Sequence, residues 1–211
     1  MRVFCALFLL FLAACSRPLT EDERVFAETL FGPTLDTSDV TISQGLGIAP
    51  LYQTVPSSVR VLRGTDEACL RTPQPRSTQP PQAFALYNRM YFDSALYSSD
   101  MARPWPEALR FPQAIILAHE LTHVWQWQNR DLTGYTPWRA AAESWRLADP
   151  YYSGNVDAPL FLSLGYEQQA AIIEDYICFT VANPTHPRRL ELRALIEPFF
   201  TVDAFEAALA E

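Results

Sequence analysis

Two histidines with a glutamate between them are the residues of this sequence best suited to do chemistry. His119 and His123 lie four positions apart, inside the apolar stretch 116–125. On a helix, that spacing places both side chains on one face, with Cβ atoms about 5–6 Å apart. Two imidazoles so placed can bind one zinc ion, and Glu120 between them can reach a water molecule on the metal. The motif therefore predicts a zinc hydrolase.

The surroundings of the motif support this prediction. Apart from the two histidines, Glu120 is the only ionisable side chain between Ile116 and Trp125. Burial of a lone carboxylate costs several kcal/mol unless a partner compensates its charge, and a metal ion with its water would be such a partner. The alternative is a helix whose histidines and glutamate make ordinary hydrogen bonds in a surface groove.

A hydrolytic zinc ion usually takes three ligands from the protein, so a third ligand must be found. The chain has 3 histidines, and the third, His186, follows Asn183-Pro184 in a predicted turn, where we expect a loop residue and not a ligand. Gln126 and Asn129 occupy the positions that glycine and histidine take in the extended H-E-x-x-H-x-x-G-x-x-H motif. The third ligand is therefore predicted to be a carboxylate.

Two glutamates compete for this role. Glu143 and Glu167 follow the second histidine of the motif by 20 and 44 residues. We favour Glu167, because Ala170 and Ala171 lie one turn further along its helical face and leave room for the motif helix to approach. Glu174 shares the same face, and the sequence leaves open whether it supports a zinc-binding histidine or is simply solvated.

The zinc motif and the second helix together resemble a known group of enzymes. The run 119–126, followed by Glu167-Gln168-Gln169-Ala170, resembles the minimal gluzincin type of zinc peptidase found in bacterial secreted and toxin-associated proteins. The segments 19–32 and 88–92 are similar to the same group. The resemblance implies a zincin-like fold in which a small, mostly antiparallel sheet packs on a helical half that carries the motif helix.

The resemblance also implies roles for individual residues. His119, His123 and Glu167 would hold Zn²⁺, and Glu120 would take a proton from the zinc-activated water and pass it to the leaving amine of a peptide. The strand 84–92 would offer its edge to an extended substrate. Candidates for the donor that stabilises the oxyanion are three tyrosines, Tyr152, Tyr166 and Tyr176.

One departure from the larger gluzincins leaves room for other functions. Their N-E-x-x-x-D pattern is absent, and Ala171 stands where an aspartate would orient a zinc-binding histidine. The main prediction is a membrane-anchored metallopeptidase acting on peptides or proteins of the cell envelope. The alternatives are a catalytically silent lipoprotein that binds a partner or serves envelope assembly, and a metal hydrolase of non-peptide amides such as those of peptidoglycan.

The N-terminus predicts export and lipid anchoring. Arg2 precedes an apolar stretch, 3–12, that is too short to be a stable membrane span. Leu12-Ala13-Ala14-Cys15 resembles the lipobox of bacterial lipoproteins, in which Cys15 becomes the acylated N-terminal residue. Ser16 after it resembles the pattern of lipoproteins sorted to the periplasmic face of the outer membrane. We therefore expect a signal peptide over residues 1–14, a lipidated tether over 15–19 and a single domain over 20–211.

Composition limits the partners and the use of cysteine. Sixteen arginines and no lysine stand against 24 acidic residues, and the net charge of −8 argues against nucleic acid as a partner. With Cys5 in the signal peptide and Cys15 lipidated, Cys69 and Cys178 remain in an oxidising compartment. They either form a disulfide or leave Cys178 as a small buried hydrophobic residue.

Local patterns predict an α+β fold. Thr20-Glu21-Asp22-Glu23 has the form of a capping box that opens a helix ending at Gly32-Pro33. The predicted strands are 40–42, 59–62 and 84–92, and a proline-rich loop covers 72–82. The motif helix is predicted from Pro112 to about Asn129, and further helices cover 138–147, 166–181, 187–197 and 202–210. Strands followed by helices indicate a small sheet beside a helical half.

Overall fold

The computed structural model describes residues 16–45, 69–73, 81–152 and 160–210. The predicted signal peptide, Cys15 and the predicted strand at 59–62 lie outside these residues. The α-helices are α1 (Glu21–Phe31), α2 (Gln113–Gln128), α3 (Arg130–Thr133), α4 (Pro137–Arg146), α5 (Tyr166–Ala182), α6 (Pro187–Ile196) and α7 (Val202–Leu209). The strands are β1 (Ser16–Pro18), β2 (Thr41–Gln44), β3 (Ala83–Leu86) and β4 (Arg89–Phe92). The predicted α+β class is confirmed.

Residues within the predicted tether contact the rest of the domain. Ser16–Pro18 form β1, which pairs antiparallel with β2. The guanidinium of Arg17 donates to the fully buried carboxylate of Glu23, at 2.6 and 2.8 Å, and Nε of Arg17 donates to the Tyr97 hydroxyl. A strand pairing and an ion pair thus attach these residues to the domain.

Helix α1 begins where the capping box predicts. The backbone N–H of Glu23 donates to the Thr20 hydroxyl, and the backbone N–H of Thr20 donates to the Glu23 carboxylate. These reciprocal bonds satisfy two amide groups that the first turn would otherwise leave unpaired. The helix ends at Gly32, which has a positive φ of 59°.

The sheet has the order β1-β2-β4-β3, with two antiparallel pairings and a parallel pairing between β2 and β4. The single strand predicted over 84–92 is a hairpin, β3 and β4, joined at Tyr87 and Asn88. Tyr87 has a positive φ of 57°, and its ring packs on Trp127 of α2 at 4.6 Å. That contact holds a non-glycine residue in a conformation that side chains usually avoid, and it places the hairpin beside α2.

The helical half is built around α2 and α5, which pack against each other. Small residues on both helices are buried, Ala114 and Ala118 on α2 and Ala170 and Ala171 on α5. Trp125 of α2 is buried and packs against the rings of Phe161, Phe199 and Phe200. Among the described residues, none of the helices has the length and apolar composition needed to span a membrane.

Candidate metal centre

Three predicted ligand residues lie together where α2 faces the first turn of α5. Nε2 of His119 and Nε2 of His123 are 3.2 Å apart, and Oε2 of Glu167 lies 3.1 Å from the first and 3.2 Å from the second. Both histidines are buried. These residues form a group that could hold a metal ion. The structure thus places Glu167, and not Glu143, beside the motif.

The spacing of the three atoms fits tetrahedral coordination. An ion with ligand distances of about 2.0–2.1 Å holds neighbouring tetrahedral ligands roughly 3.3 Å apart. Each Nδ1 faces an acceptor oxygen, at 2.8 Å from Glu174 for His119 and at 2.8 Å from Gln126 for His123. Protons on both Nδ1 atoms leave both Nε2 lone pairs facing the Glu167 carboxylate. Such a set of acceptors needs a shared cation or extra protons to remain together.

The electrostatics of the metal-free cluster show the same need. Burial lowers the pKa of His119 and His123, but the carboxylates of Glu174 and Glu167 outweigh burial, so the pKa of each histidine is raised. Burial raises the pKa of Glu167, but the positive charge of His123 and the contacts with both imidazoles bring that pKa well below its usual value. Without a metal, protons on the imidazoles hold the cluster together.

Glu120 lies on the same helix as the two histidines, and its carboxyl is easier to protonate than that of Glu167. Its side chain is buried, and Oε2 has no hydrogen-bond partner within the described part of the chain. Burial raises the pKa of the Glu120 carboxyl to about 7, against the opposing effect of the two histidines. In many sites one carboxyl with a raised pKa transfers a proton, while a neighbouring carboxyl with a lowered pKa stays charged. The raised pKa of Glu120 suits the first role, and the lowered pKa of Glu167 suits the second.

A chain of buried amides fixes His123. Gln126 accepts from Nδ1 of His123 through its Oε1, and its Nε2 donates to the Tyr166 carbonyl and to Oε1 of Gln169. Gln169 in turn donates to the Leu164 carbonyl at 2.9 Å. This support was not predicted from the sequence. The signal for it is Gln126, a glutamine about one turn after His123 in the apolar run that carries the motif.

Glu174 supports the other histidine, which decides the alternative that the sequence left open. Its Oε1 lies 2.8 Å from Nδ1 of His119, although the angle at this contact is poor for a hydrogen bond. The side chain reaches His119 from α5, two turns after Glu167. A carboxylate therefore stands beside a zinc-motif histidine even though Ala171 occupies the expected aspartate position.

Glu143, the alternative ligand candidate, caps the helix that carries Glu167. Its Oε1 accepts a hydrogen bond of 2.6 Å from the backbone N–H of Tyr166, and the backbone N–H of Glu167 also reaches its carboxylate. The carboxylate satisfies amide groups at the positive end of α5. Gly165 permits this approach, because a Cβ there would lie 2.4 Å from Oε1 of Glu143. The next residue, Ser144, donates to Oε1 of Glu167 at 3.3 Å.

Two tyrosines outside the predicted set, Tyr135 and Tyr151, lie beside the histidines. Tyr176 donates to Glu206, and Tyr166 donates to the Thr133 carbonyl, so their hydroxyls have other partners. The ring of Tyr135 stacks at 6.0 Å from that of His123, and the ring of Tyr151 lies 5.8 Å from that of His119. Burial, with the charge of Glu167, raises the pKa of both Tyr135 and Tyr151. Both phenols therefore stay protonated at neutral pH and can donate.

The third predicted tyrosine, Tyr152, accepts a hydrogen bond of 2.9 Å from Gln168 through its backbone carbonyl.

The remaining predicted residues lie outside the cluster or beside α5. His186 caps α6 and stacks on Phe179. Cys69 and Cys178 form a disulfide in the structure. That bond joins the segment 69–73 to α5.

Comparisons with known proteins place the fold but not the activity. None of the family models matches the chain, and no curated protein matches it significantly. The structure is similar to the effector domain of Pseudomonas aeruginosa VgrG2b, with a TM-score of 0.54 and 21% sequence identity. The match covers 87% of this chain and 83% of that domain. At this identity, the similarity shows a shared fold.

The two competing glutamates predict different responses to substitution. Glu167→Ala should abolish stoichiometric zinc binding, because it removes one of three converging ligand atoms. Glu143→Ala should keep one zinc per chain and lower stability by about 1 kcal/mol, a typical loss for a helix cap. Zinc content and thermal unfolding measure both effects. Loss of zinc in Glu143→Ala, with zinc retained in Glu167→Ala, would reverse the ligand assignment.

The cluster also predicts how stability depends on pH. The histidine contribution to the stability of the metal-free protein should fall as the pH rises, whereas the stabilisation by zinc should increase. In the metal-free protein, the folded pKa values of His119 and His123 lie above the ordinary 6.5. Their contribution to stability is fully present below about pH 6.5 and is lost as the pH rises through the folded values. Zinc competes with those protons, so the thermal stabilisation by zinc should grow over the same pH range. Unfolding from about pH 5 to 8, with chelator and with zinc, checks both trends. A zinc effect that does not change with pH would contradict them.

Proposed function

We propose that this chain is a zinc-dependent peptidase. The observation that carries the proposal is the convergence of the His119, His123 and Glu167 ligand atoms within 3.2 Å, next to the buried carboxyl of Glu120. The donor set of two imidazoles and one carboxylate is that of hydrolytic zinc sites with an open position. The sequence resemblance to minimal gluzincins supports the same reading.

The chemistry at the site would divide between the metal and Glu120. A bound zinc ion would supply a Lewis acid that lowers the pKa of a coordinated water to about 7 and polarises a peptide carbonyl. Glu120, with its pKa also raised to about 7, can accept the proton of the attacking water and later give it to the leaving nitrogen. Its Oε2, which has no hydrogen-bond partner among the described residues, is the atom suited to hold that proton.

Other residues would position the substrate. Among the described residues, strand β3 is the last in the sheet order and lies beside α2, so its outer edge could take an extended peptide as an additional strand. The phenol groups of Tyr135 and Tyr151 stay protonated next to the two histidines, which suits them to donate to an oxyanion.

The shared fold supports a biological setting for this activity. The similar solved domain is described as an effector domain. We therefore propose that this chain, too, has a role associated with toxins or effectors, acting on peptide or protein targets in the cell envelope.

The catalytic proposal predicts a separation of metal binding from activity. Glu120→Gln should keep zinc, because Glu120 is not a ligand, and should lower peptide cleavage by at least about 10²-fold, the usual contribution of a general base. A peptide-library digest with and without chelator measures the loss, and zinc content is the control. Cleavage in Glu120→Gln equal to that of the wild type would rule out the assigned role.

A silent binding module is the alternative function, and exposed aromatic residues favour it. Trp138 and Trp145 lie seven positions apart on α4 with 82% and 77% of their surface exposed. Trp138 also lines a groove of about 520 Å³ with Glu143 and Tyr166. Large exposed aromatic side chains are typical of interaction surfaces. Lack of chelator-sensitive cleavage of any peptide by the zinc-loaded wild type would favour this alternative.

We also propose a lipid anchor at Cys15, on the periplasmic face of the outer membrane. Because β1 starts at Ser16 and Arg17 is bound by Glu23, acyl chains on Cys15 would hold the domain close to the bilayer. Several acyl chains on one residue give stable membrane attachment, as a single chain does not.

The anchor predicts specific lipid labelling. Cys15→Ser should abolish incorporation of a labelled fatty acid and release the chain from the membrane fraction of a bacterial host. Cys5→Ser is the matched control and should change neither result. Labelling that persists in Cys15→Ser would show that the lipobox assignment is wrong.

A further inference from the structure

A short segment that lies far from the zinc motif along the chain contacts Glu174, the carboxylate beside His119. The segment 69–73 lies against α5, where Arg71 pairs with both Glu174 and Asp175. Nη2 of Arg71 lies 3.0 Å from Oδ1 of Asp175 and closer still to Oε2 of Glu174. Arg71 is thus a cation that compensates part of the charge of two largely buried carboxylates.

Glu174 links this cation to the candidate metal centre. Its Oε2 contacts Arg71, and its Oε1 lies 2.8 Å from Nδ1 of His119. The carboxylate therefore lies between Arg71 and His119, so the position of one oxygen depends on the contact at the other. Removing Arg71 would leave Oε2 of Glu174 without its cation, so the carboxylate could rotate away from Nδ1 of His119.

The disulfide holds Arg71 at this position. Cys178 lies one helical turn after Glu174, and Cys69 lies two residues before Arg71. The covalent bond and the ion pair therefore join the same two segments at neighbouring positions. Residues 70–73 form no helix or strand of their own, so the bond to Cys178 restricts the positions that the Arg71 guanidinium can reach.

We propose that Arg71 is a positioning residue for the metal centre and that the Cys69–Cys178 disulfide makes metal affinity depend on oxidising conditions. This inference rests on the proposed zinc function. Arg71 acts through Glu174, which orients the His119 imidazole and keeps its Nε2 lone pair on the metal side. Reduction by a dithiol moves two electrons and two protons to the disulfide, leaving two cysteine thiols and a cyclic disulfide of the reductant. The chain would then bind zinc weakly in a reducing cytoplasm and tightly after export.

Substitutions in the full chain test the role of Arg71. Arg71→Gln should weaken zinc binding by about 10–100-fold, the usual effect of losing support behind a metal ligand. Arg71→Lys should restore part of this loss, because it returns the charge. Arg24→Gln is the matched control, since Arg24 pairs with Glu21 on the exposed face of α1. Affinity is measured by competition with a chromophoric zinc chelator. Wild-type affinity in Arg71→Gln would overturn the proposal.

A double-mutant cycle tests the role of the disulfide. The Cys69→Ser/Cys178→Ser variant, and the dithiol-treated wild type, should lose zinc affinity to about the extent of Arg71→Gln. Adding Arg71→Gln to the cysteine variant should cost little more, because both changes act on one contact. Fully additive losses would contradict a disulfide that acts through Arg71. If the cysteine variant does not fold, dithiol titration of the wild type, with folding followed by circular dichroism, decides this point.

A metal-free measurement separates this inference from the proposed function. In the apo protein, the ¹⁵N signals of the His119 imidazole report the contacts that each ring nitrogen makes. Arg71→Gln should shift these signals in the same direction as Glu174→Gln, and Arg24→Gln should leave them unchanged. A wild type that binds no zinc would refute the proposed function, while these signals would still decide the inference. Unchanged His119 signals in Arg71→Gln would refute the inference itself.

Discussion

The close packing of α2 against α5 is the constraint on which the candidate site depends. The two histidines come from one helix and Glu167 from the other, so three ligand atoms meet only if the helix backbones approach closely. Both helices carry buried alanines, Ala118 and Ala170 among them, and small side chains of this kind allow two helix backbones to approach closely. A metal site tolerates only small displacements of the elements that carry its residues.

This packing also buries more charge than an apolar interface can hold by itself. Glu120, Glu167 and Glu174 all lie at the junction, and water is largely excluded from them. Each of the three carboxylates has a different form of compensation. Arg71 and His119 stabilise Glu174, a metal or protonated histidines stabilise Glu167, and Glu120 becomes easier to protonate. The low dielectric that makes burial costly also strengthens every one of these contacts.

The supports around the ligands come from elements that are distant along the chain. Helix α4 supplies Glu143 and Ser144, which fix the backbone and the carboxylate of Glu167. The amides of Gln126 and Gln169 fix His123. The disulfide-linked segment brings Arg71 to Glu174. A site held from several sides in this way keeps its geometry without relying on one loop.

The sequence by itself determined the local features, and the tertiary structure decided which residues meet. The four-residue spacing of the histidines, the capping box of α1 and the α+β class follow from helix and strand periodicity, which short-range backbone hydrogen bonds set. Periodicity placed Glu167 and Glu174 on one face of α5 but could not say what that face contacts. The position of Glu167 beside the two histidines, the capping role of Glu143 and the approach of Arg71 depend on distances between segments that lie far apart along the chain, 103 residues apart for Arg71 and Glu174. Packing of side chains fixes those distances, and no local pattern encodes them.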